Sequence, residues 1–135
     1  MQTILNNATT AAYMFDLFKG GEIDKLLSMM HPRVVWEVSG AAPIPFAHTY
    51  RGTKEVAQFF SEMAKAVTFT EFVPEKIVNA DDHTVVSIGH YSIIVNATGK
   101  DAKSDWVMIS EYDEEGVLVR FKDYVDTQAI ASAFE

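Results

Sequence analysis

The chain has 135 residues, with 19 acidic side chains against 11 basic ones and a formal charge of −8. That length predicts one domain, since roughly 100–200 residues usually make one, and 48% hydrophobic with 22% charged residues is an ordinary globular composition. The absence of cysteine excludes a disulfide framework, a thiol nucleophile and Cys-based metal sites, and the acidic balance argues against a nucleic-acid partner or an anionic membrane surface.

The opening stretch, MQTILNNATTAAYMF, has no basic region, no sustained apolar core and no small-residue cleavage site, and is read as mature sequence. No run approaches the roughly 18 apolar residues of a membrane span. The expected location is the cytoplasm.

Residues 3–19 predict a helix. Ile4, Leu5, Ala8, Ala11, Ala12, Phe15 and Phe18 recur at steps of three and four, one apolar stripe. Gly20 and Gly21 stop it. Residues 22–30 predict a short second helix with Ile23, Leu26, Leu27 and Met30 on one side, ended by Pro32. Val34 to Val38 is a strand by its β-branched and aromatic content. Ser39 to Tyr50 holds Gly40, Pro43 and Pro45 and reads as a long ordered loop of the kind that lids a pocket. Thr53 is a candidate N-cap for a helix over 54–65 whose apolar face is Val56, Ala57, Phe59, Phe60 and Met63.

The period then changes to two. Strands are predicted over 69–79, bent or broken at Pro74, then 84–96, 103–112 and 117–125, joined by turns at Asp81-Asp82, Thr98-Gly99-Lys100 and Asp113 to Gly116. Hairpin connections in series make an antiparallel sheet. Asp126 or Thr127 caps a final helix over 128–134. Helices segregated from one sheet predict an α+β fold. A curved sheet, antiparallel or mixed, wrapped on the N-terminal helices leaves a cone whose mouth suits a small molecule.

Four stretches make this order resemble the nuclear transport factor 2-like superfamily, the cone-shaped α+β barrels that include ketosteroid isomerase, limonene epoxide hydrolase and the SnoaL-like polyketide cyclases. They are Phe18 to Asp24, His31 to Val38, Thr49 to Val56, and Gly116 with Val119 to Thr127. The resemblance covers nearly the whole chain and implies a single SnoaL-like domain over 1–135. The fold hosts many chemistries, so the site residues need separate argument.

Ketosteroid isomerase uses an Asp base with a Tyr and a protonated Asp as oxyanion donors. By resemblance those positions fall on Val38, Met14 and Met108, all apolar here, so that triad is absent. SnoaL-like cyclases carry an acid/base aspartate on the closing strand, and Asp123 in Lys122-Asp123-Tyr124 matches it. Alternation independently places Val117, Val119, Phe121, Asp123 and Val125 on one face. A lone carboxylate on an apolar face has the setting that raises a pKa toward working pH. Its other reading is a salt-bridged or solvated strand-end carboxylate. Lys103-Ser104-Asp105 resembles the Arg-x-Asp of limonene epoxide hydrolase, which makes Asp105 a candidate partner; an exposed hairpin charge is its plainer reading.

Trp36, Tyr91, Trp106 and Phe121 are candidates to line an aromatic pocket, against a purely core role. Met14 and Phe15 would floor it, with Val38, Tyr50 and Met108 as further contacts. His48, in the loop beside Tyr50, and His90, in the long strand, are candidate proton carriers or ligand contacts. His90 alternatively meets a subunit interface or is a satisfied, partly buried imidazole. No metal spacing and no cofactor motif is present, so no metal and no cofactor is expected.

The expected function is acid/base proton transfer on a hydrophobic carbonyl compound, of cyclase or isomerase type, with Asp123 as the acid/base. The alternatives are epoxide hydrolysis by Asp123 and Asp105, and a non-catalytic module for hydrophobic ligands. The expected partners are a small hydrophobic molecule and, by resemblance, a second copy of the chain.

Overall fold

The computed structural model describes residues 6–135. The elements are α1 (Asn7–Lys19), α2 (Ile23–Ser28), β1 (Met30–Glu37), β2 (Thr49–Arg51), α3 (Gly52–Ala66), β3 (Val67–Asn79), β4 (Thr84–Val95), β5 (Asp101–Tyr112), β6 (Leu118–Val125) and α4 (Thr127–Ala133). The six strands form one open sheet in the order β2-β1-β6-β5-β4-β3. Every neighbour pair is antiparallel except β1 and β6, which run parallel. The fold is α+β with a mixed sheet, and its inner face packs on α1 and α3.

Helix α1 starts one turn later than the apolar periodicity suggests. Asn6 caps it by accepting from the Thr9 amide, satisfying a donor that the helix start leaves orphaned. The predicted residues Ile4 and Leu5 lie outside the described ones. The buried face centres on Ala11, Met14 and Leu17, with Phe15 and Phe18 packed at its edge. The N-terminal turn is tied to the β3–β4 connection. Asn7 Nδ2 donates to the Asp82 carbonyl at 3.0 Å, and the Ala8 amide donates to Asn79 Oδ1 at 3.0 Å.

Three boundaries differ from the sequence reading. The second helix ends at Ser28, and β1 already begins at Met30, so His31 and Pro32 sit on a strand. This places Pro32 near a strand start, where its missing donor is tolerated. Thr49–Arg51 forms a short edge strand inside the predicted loop. Helix α3 starts at Gly52, and its cap is not the Thr53 side chain. Glu55 Oε1 instead accepts from the Arg51 amide at 2.9 Å, reaching back over the first turn as a capping-box acid does.

Curvature comes from bulges. In β3 the register slips between Phe69 and Glu71 and again between Pro74 and Lys76. Each slip adds one residue, raises the twist and bends the strand. Pro74 therefore marks a bend, not a break. A third slip, between Glu111 and Tyr112 of β5 against β6, corrects the predicted alternation. Leu118, not Val117 or Val119, turns inward ahead of Phe121.

One glycine is demanded by packing. A Cβ on Gly89 would stand 2.3 Å from both Trp106 Cζ2 and the Val73 carbonyl oxygen. Gly89 faces Trp106 across the β4–β5 pair, so the indole lies over bare backbone.

Candidate active site

The inner face of the sheet, α1, α3 and α4 enclose a cavity of about 110 Å³. Its wall is almost wholly apolar and rich in Phe. Asp123 is the one carboxylate on it.

Strand β6 sets the position of Asp123. Its Cα pairs with Met108 on β5, two residues along from the Phe121–Ser110 pair. Because side chains alternate, Phe121 and Asp123 point inward while Lys122 and Tyr124 point out. The carboxylate is partly buried. Its Oδ1 accepts from the Ser39 amide at 2.8 Å, and the Ser39 hydroxyl donates to the Asp123 carbonyl. Desolvation is the dominant influence on this group. It pushes the pKa up to about 6, against the lowering effect of the Ser39 hydrogen bonds and the Lys122 charge.

Tyr91 shares the wall. Its ring meets Phe69 edge-on at 5.5 Å and lies parallel to Phe72 at 6.4 Å. Burial, and then the negative charge of Asp123 and Asp126, raises its hydroxyl pKa well above the ordinary value. The phenol is held as a neutral donor. Trp36 stacks on Phe121, its parallel neighbour in the register, at 3.8 Å and 16°. Its buried Nε1 has no hydrogen-bond partner, and a buried unpaired donor of this kind costs about 1–3 kcal/mol. Tyr112 donates to Met14 Sδ at 3.4 Å on the far wall.

The structure divides the sequence-derived candidates. Met14, Phe15, Trp36, Val38, Tyr91, Met108, Phe121 and Asp123 come together on the cavity wall. Met14, Val38 and Met108, the three positions matched to the ketosteroid isomerase triad, all reach this cavity as apolar groups. Five candidates, Asp105, His90, His48, Tyr50 and Trp106, lie elsewhere. Asp105 is exposed on the outer face, because Trp106 takes the inward register position on β5; Asp123 and Asp105 therefore lie on opposite faces and cannot hold one water between them. His90 is also on the outer face. Its Nδ1 meets Glu75 Oε1 at 2.7 Å and its Nε2 meets Glu71 Oε1 at 3.4 Å. His48 is exposed and stacks on Tyr50 at 3.9 Å. Tyr50 is buried outside the wall, donating to the Phe46 carbonyl at 2.8 Å, which pins the 39–48 loop.

Trp106 lies behind the wall rather than on it. It packs on Phe72 at 5.3 Å and Phe15 at 5.5 Å. Sequence reasoning did not single out Ser39, which positions the carboxylate, or Phe18, Phe69 and Phe72, which close one side of the cavity. Phe18 belonged to the predicted apolar stripe, but the bulged strand β3 gave no period that would assign its two phenylalanines to a pocket.

Among the described residues no group of three or more His, Asp or Glu side chains is placed to hold a metal ion. No helix among them is long and apolar enough to cross a membrane.

Comparison with known proteins bears on the fold. No curated protein matches the sequence. A nuclear transport factor 2-like protein from Burkholderia xenovorans LB400 superposes with a TM-score of 0.85 at 23% identity, over 96% of this chain and 95% of that one. TerC, solved with polyporic acid, gives 0.81 at 21% identity over 95% and 98%. A protein from Rhodopseudomonas palustris named as a candidate isomerase gives 0.78 at 13% identity over 98% of each chain. At these identities the likeness is one of fold. Residues 11–121 match the SnoaL-like domain, and the chain belongs to that family.

Proposed function

We propose that this chain is an acid/base catalyst for a small hydrophobic carbonyl compound, of isomerase or cyclase type. The observation that carries the reading is a single carboxylate, Asp123, on an otherwise apolar cavity wall with its pKa pushed up to about 6 by burial. A carboxyl poised there is ionised enough to take a proton near neutral pH and basic enough to do so usefully.

In this mechanism the Asp123 carboxylate removes a proton from the carbon beside the carbonyl. The C–H electron pair moves into the new C=C bond, and the carbonyl oxygen gains the charge. Neutral Tyr91 donates a hydrogen bond to that oxygen. Asp123 then returns the proton to a second carbon, or the enolate carbon attacks an internal carbonyl to close a ring and Asp123 gives the proton to the new alkoxide. No redox step is involved. The Ser39 amide holds one carboxylate oxygen, leaving the other for the substrate. That TerC, of the same fold, was co-crystallised with polyporic acid supports a small-molecule ligand for this cavity.

The outer face of the sheet supports a homodimer. Val78, Ile88, Ile94 and Tyr124 stay exposed there, and apolar groups gathered on one surface mark a contact region.

The test is hydrogen exchange. Phenylacetone in D2O is followed by NMR with wild-type protein and Asp123→Asn. Wild-type protein is expected to speed benzylic exchange, and the variant to lose about 10²-fold or more of that acceleration. Equal exchange by both would remove Asp123 from catalysis, and binding without any acceleration would favour the non-catalytic module.

A further inference from the structure

Outside the cavity, a groove of about 570 Å³ runs between the end of α1, α3 and β3. Phe18, Phe60, Met63, Val67, Phe69 and Phe72 line both spaces. The wall between them is thus one side chain thick. Phe18 is its centre: it meets Phe69 edge-on at 5.6 Å, Phe72 at 5.0 Å and Phe60 at 6.1 Å.

Size gives this arrangement a consequence. The inner chamber, about 110 Å³, is of the order of the roughly 150 Å³ cavity that accepts a single benzene ring, so it has room for one ring and no tail. Sites for larger organic ligands span roughly 300–1,000 Å³. The inner chamber alone falls short of that range, and chamber plus groove falls within it. Phe18, Met63, Phe69 and Phe72 are only partly buried, so the partition is also where the chamber wall comes nearest to water. The groove is apolar against the partition and polar at its rim, where Lys19, Thr68, Thr70 and Glu71 stand.

We propose that the groove is the outer half of the ligand site. Its occupant is the tail of an elongated carbonyl compound whose ring sits beside Asp123 and whose alkyl or aryl extension passes the Phe18 partition toward water. The proposal rests on the inner cavity being the ligand site, and it names the substrate class: a ring carbonyl with an apolar extension, rather than a compact single ring.

The test uses alkyl phenyl ketones from acetophenone to octanophenone, with binding read from tryptophan fluorescence, since Trp36 lines the chamber. Affinity is expected to rise about three- to fourfold per added methylene until the tail leaves the groove. Ala64 lines the groove but not the chamber and is exposed on α3, so Ala64→Trp should fill the groove without unfolding the protein. The variant is expected to keep acetophenone affinity and lose the chain-length dependence. Saturable acetophenone binding with a flat series, or an unchanged slope in Ala64→Trp, would overturn the groove proposal alone. No saturable binding by any ketone would overturn the inner-site reading and the extension with it.

Discussion

Asp123 and Ser39, 84 residues apart, are joined by two hydrogen bonds: the Ser39 amide donates to the carboxylate, and the Ser39 hydroxyl donates to the Asp123 carbonyl. The loop that follows β1 thus fixes the acid on β6. Those contacts lower the pKa, yet desolvation outweighs them and leaves it near 6.

A raised carboxyl pKa makes the folded state bind more protons than the unfolded state between about pH 4 and 6, so stability falls as pH rises through that window. A shift from the usual 3.8 to about 6 corresponds to at most about 3 kcal/mol. Asp123→Asn is expected to be more stable than wild type at pH 7.5, with the difference fading by pH 4. Urea unfolding at the two pH values measures it. A variant no more stable at pH 7.5 would show that burial does not strain this carboxylate.

Tyr91→Phe removes the neutral donor and keeps the ring that packs on Phe69 and Phe72. Ketone affinity is expected to change little while the exchange rate falls about 10-fold or more. A loss confined to affinity would make Tyr91 a wall residue only.

Gly89→Ala places a methyl into Trp106 and the Val73 carbonyl. The expected cost is about 2–3 kcal/mol, from overpacking in a tight core, read as a Tm lower by roughly 5–15 °C. An unchanged Tm would mean that the indole shifts freely.

His90 has a carboxylate at each ring nitrogen, an arrangement that only the imidazolium satisfies on both sides. The hydrogen bond it donates to Glu75 is the largest cause of its raised pKa. The pairing stabilises the fold below the ordinary histidine pKa of about 6.5 and is lost as pH rises through the raised value. NMR titration of the ring should show a midpoint above the ordinary one that drops in Glu75→Gln. An unmoved midpoint would show that the pair does not form in solution.

The proposed homodimer would form through the outer sheet face. Ile88, exposed on β4 between Lys76 and Val107 in the register, is a central position. Sedimentation is expected to give a dimer for wild type and a monomer for Ile88→Asp. A monomeric wild-type protein would overturn this.

Much of this was legible in the chain. Period-two patterning located the four long strands to within two residues of their bounds, and the lone aspartate on an apolar strand face located the inward carboxylate. What escaped depended on register. A single-residue choice on β5 decides whether Asp105 or Trp106 points inward, and alternation within one strand does not fix that. The bulge beside Tyr112 displaced Val117 and Val119 from the face they were assigned. Glu75, the extra residue of the Pro74 bulge, meets His90 through a slip that carries no period of its own. Ser39 was invisible as a partner because its contact spans most of the sequence.

The most direct measurement of the central claim is a carbon-13 NMR titration of the Asp123 carboxyl. The expected midpoint is about 6, and phenylacetone exchange should rise with pH through the same midpoint. A midpoint near 4, the value of an ordinary solvated aspartate, would contradict the account, because such a carboxylate would be facing water and would be a weaker base for taking a proton from carbon.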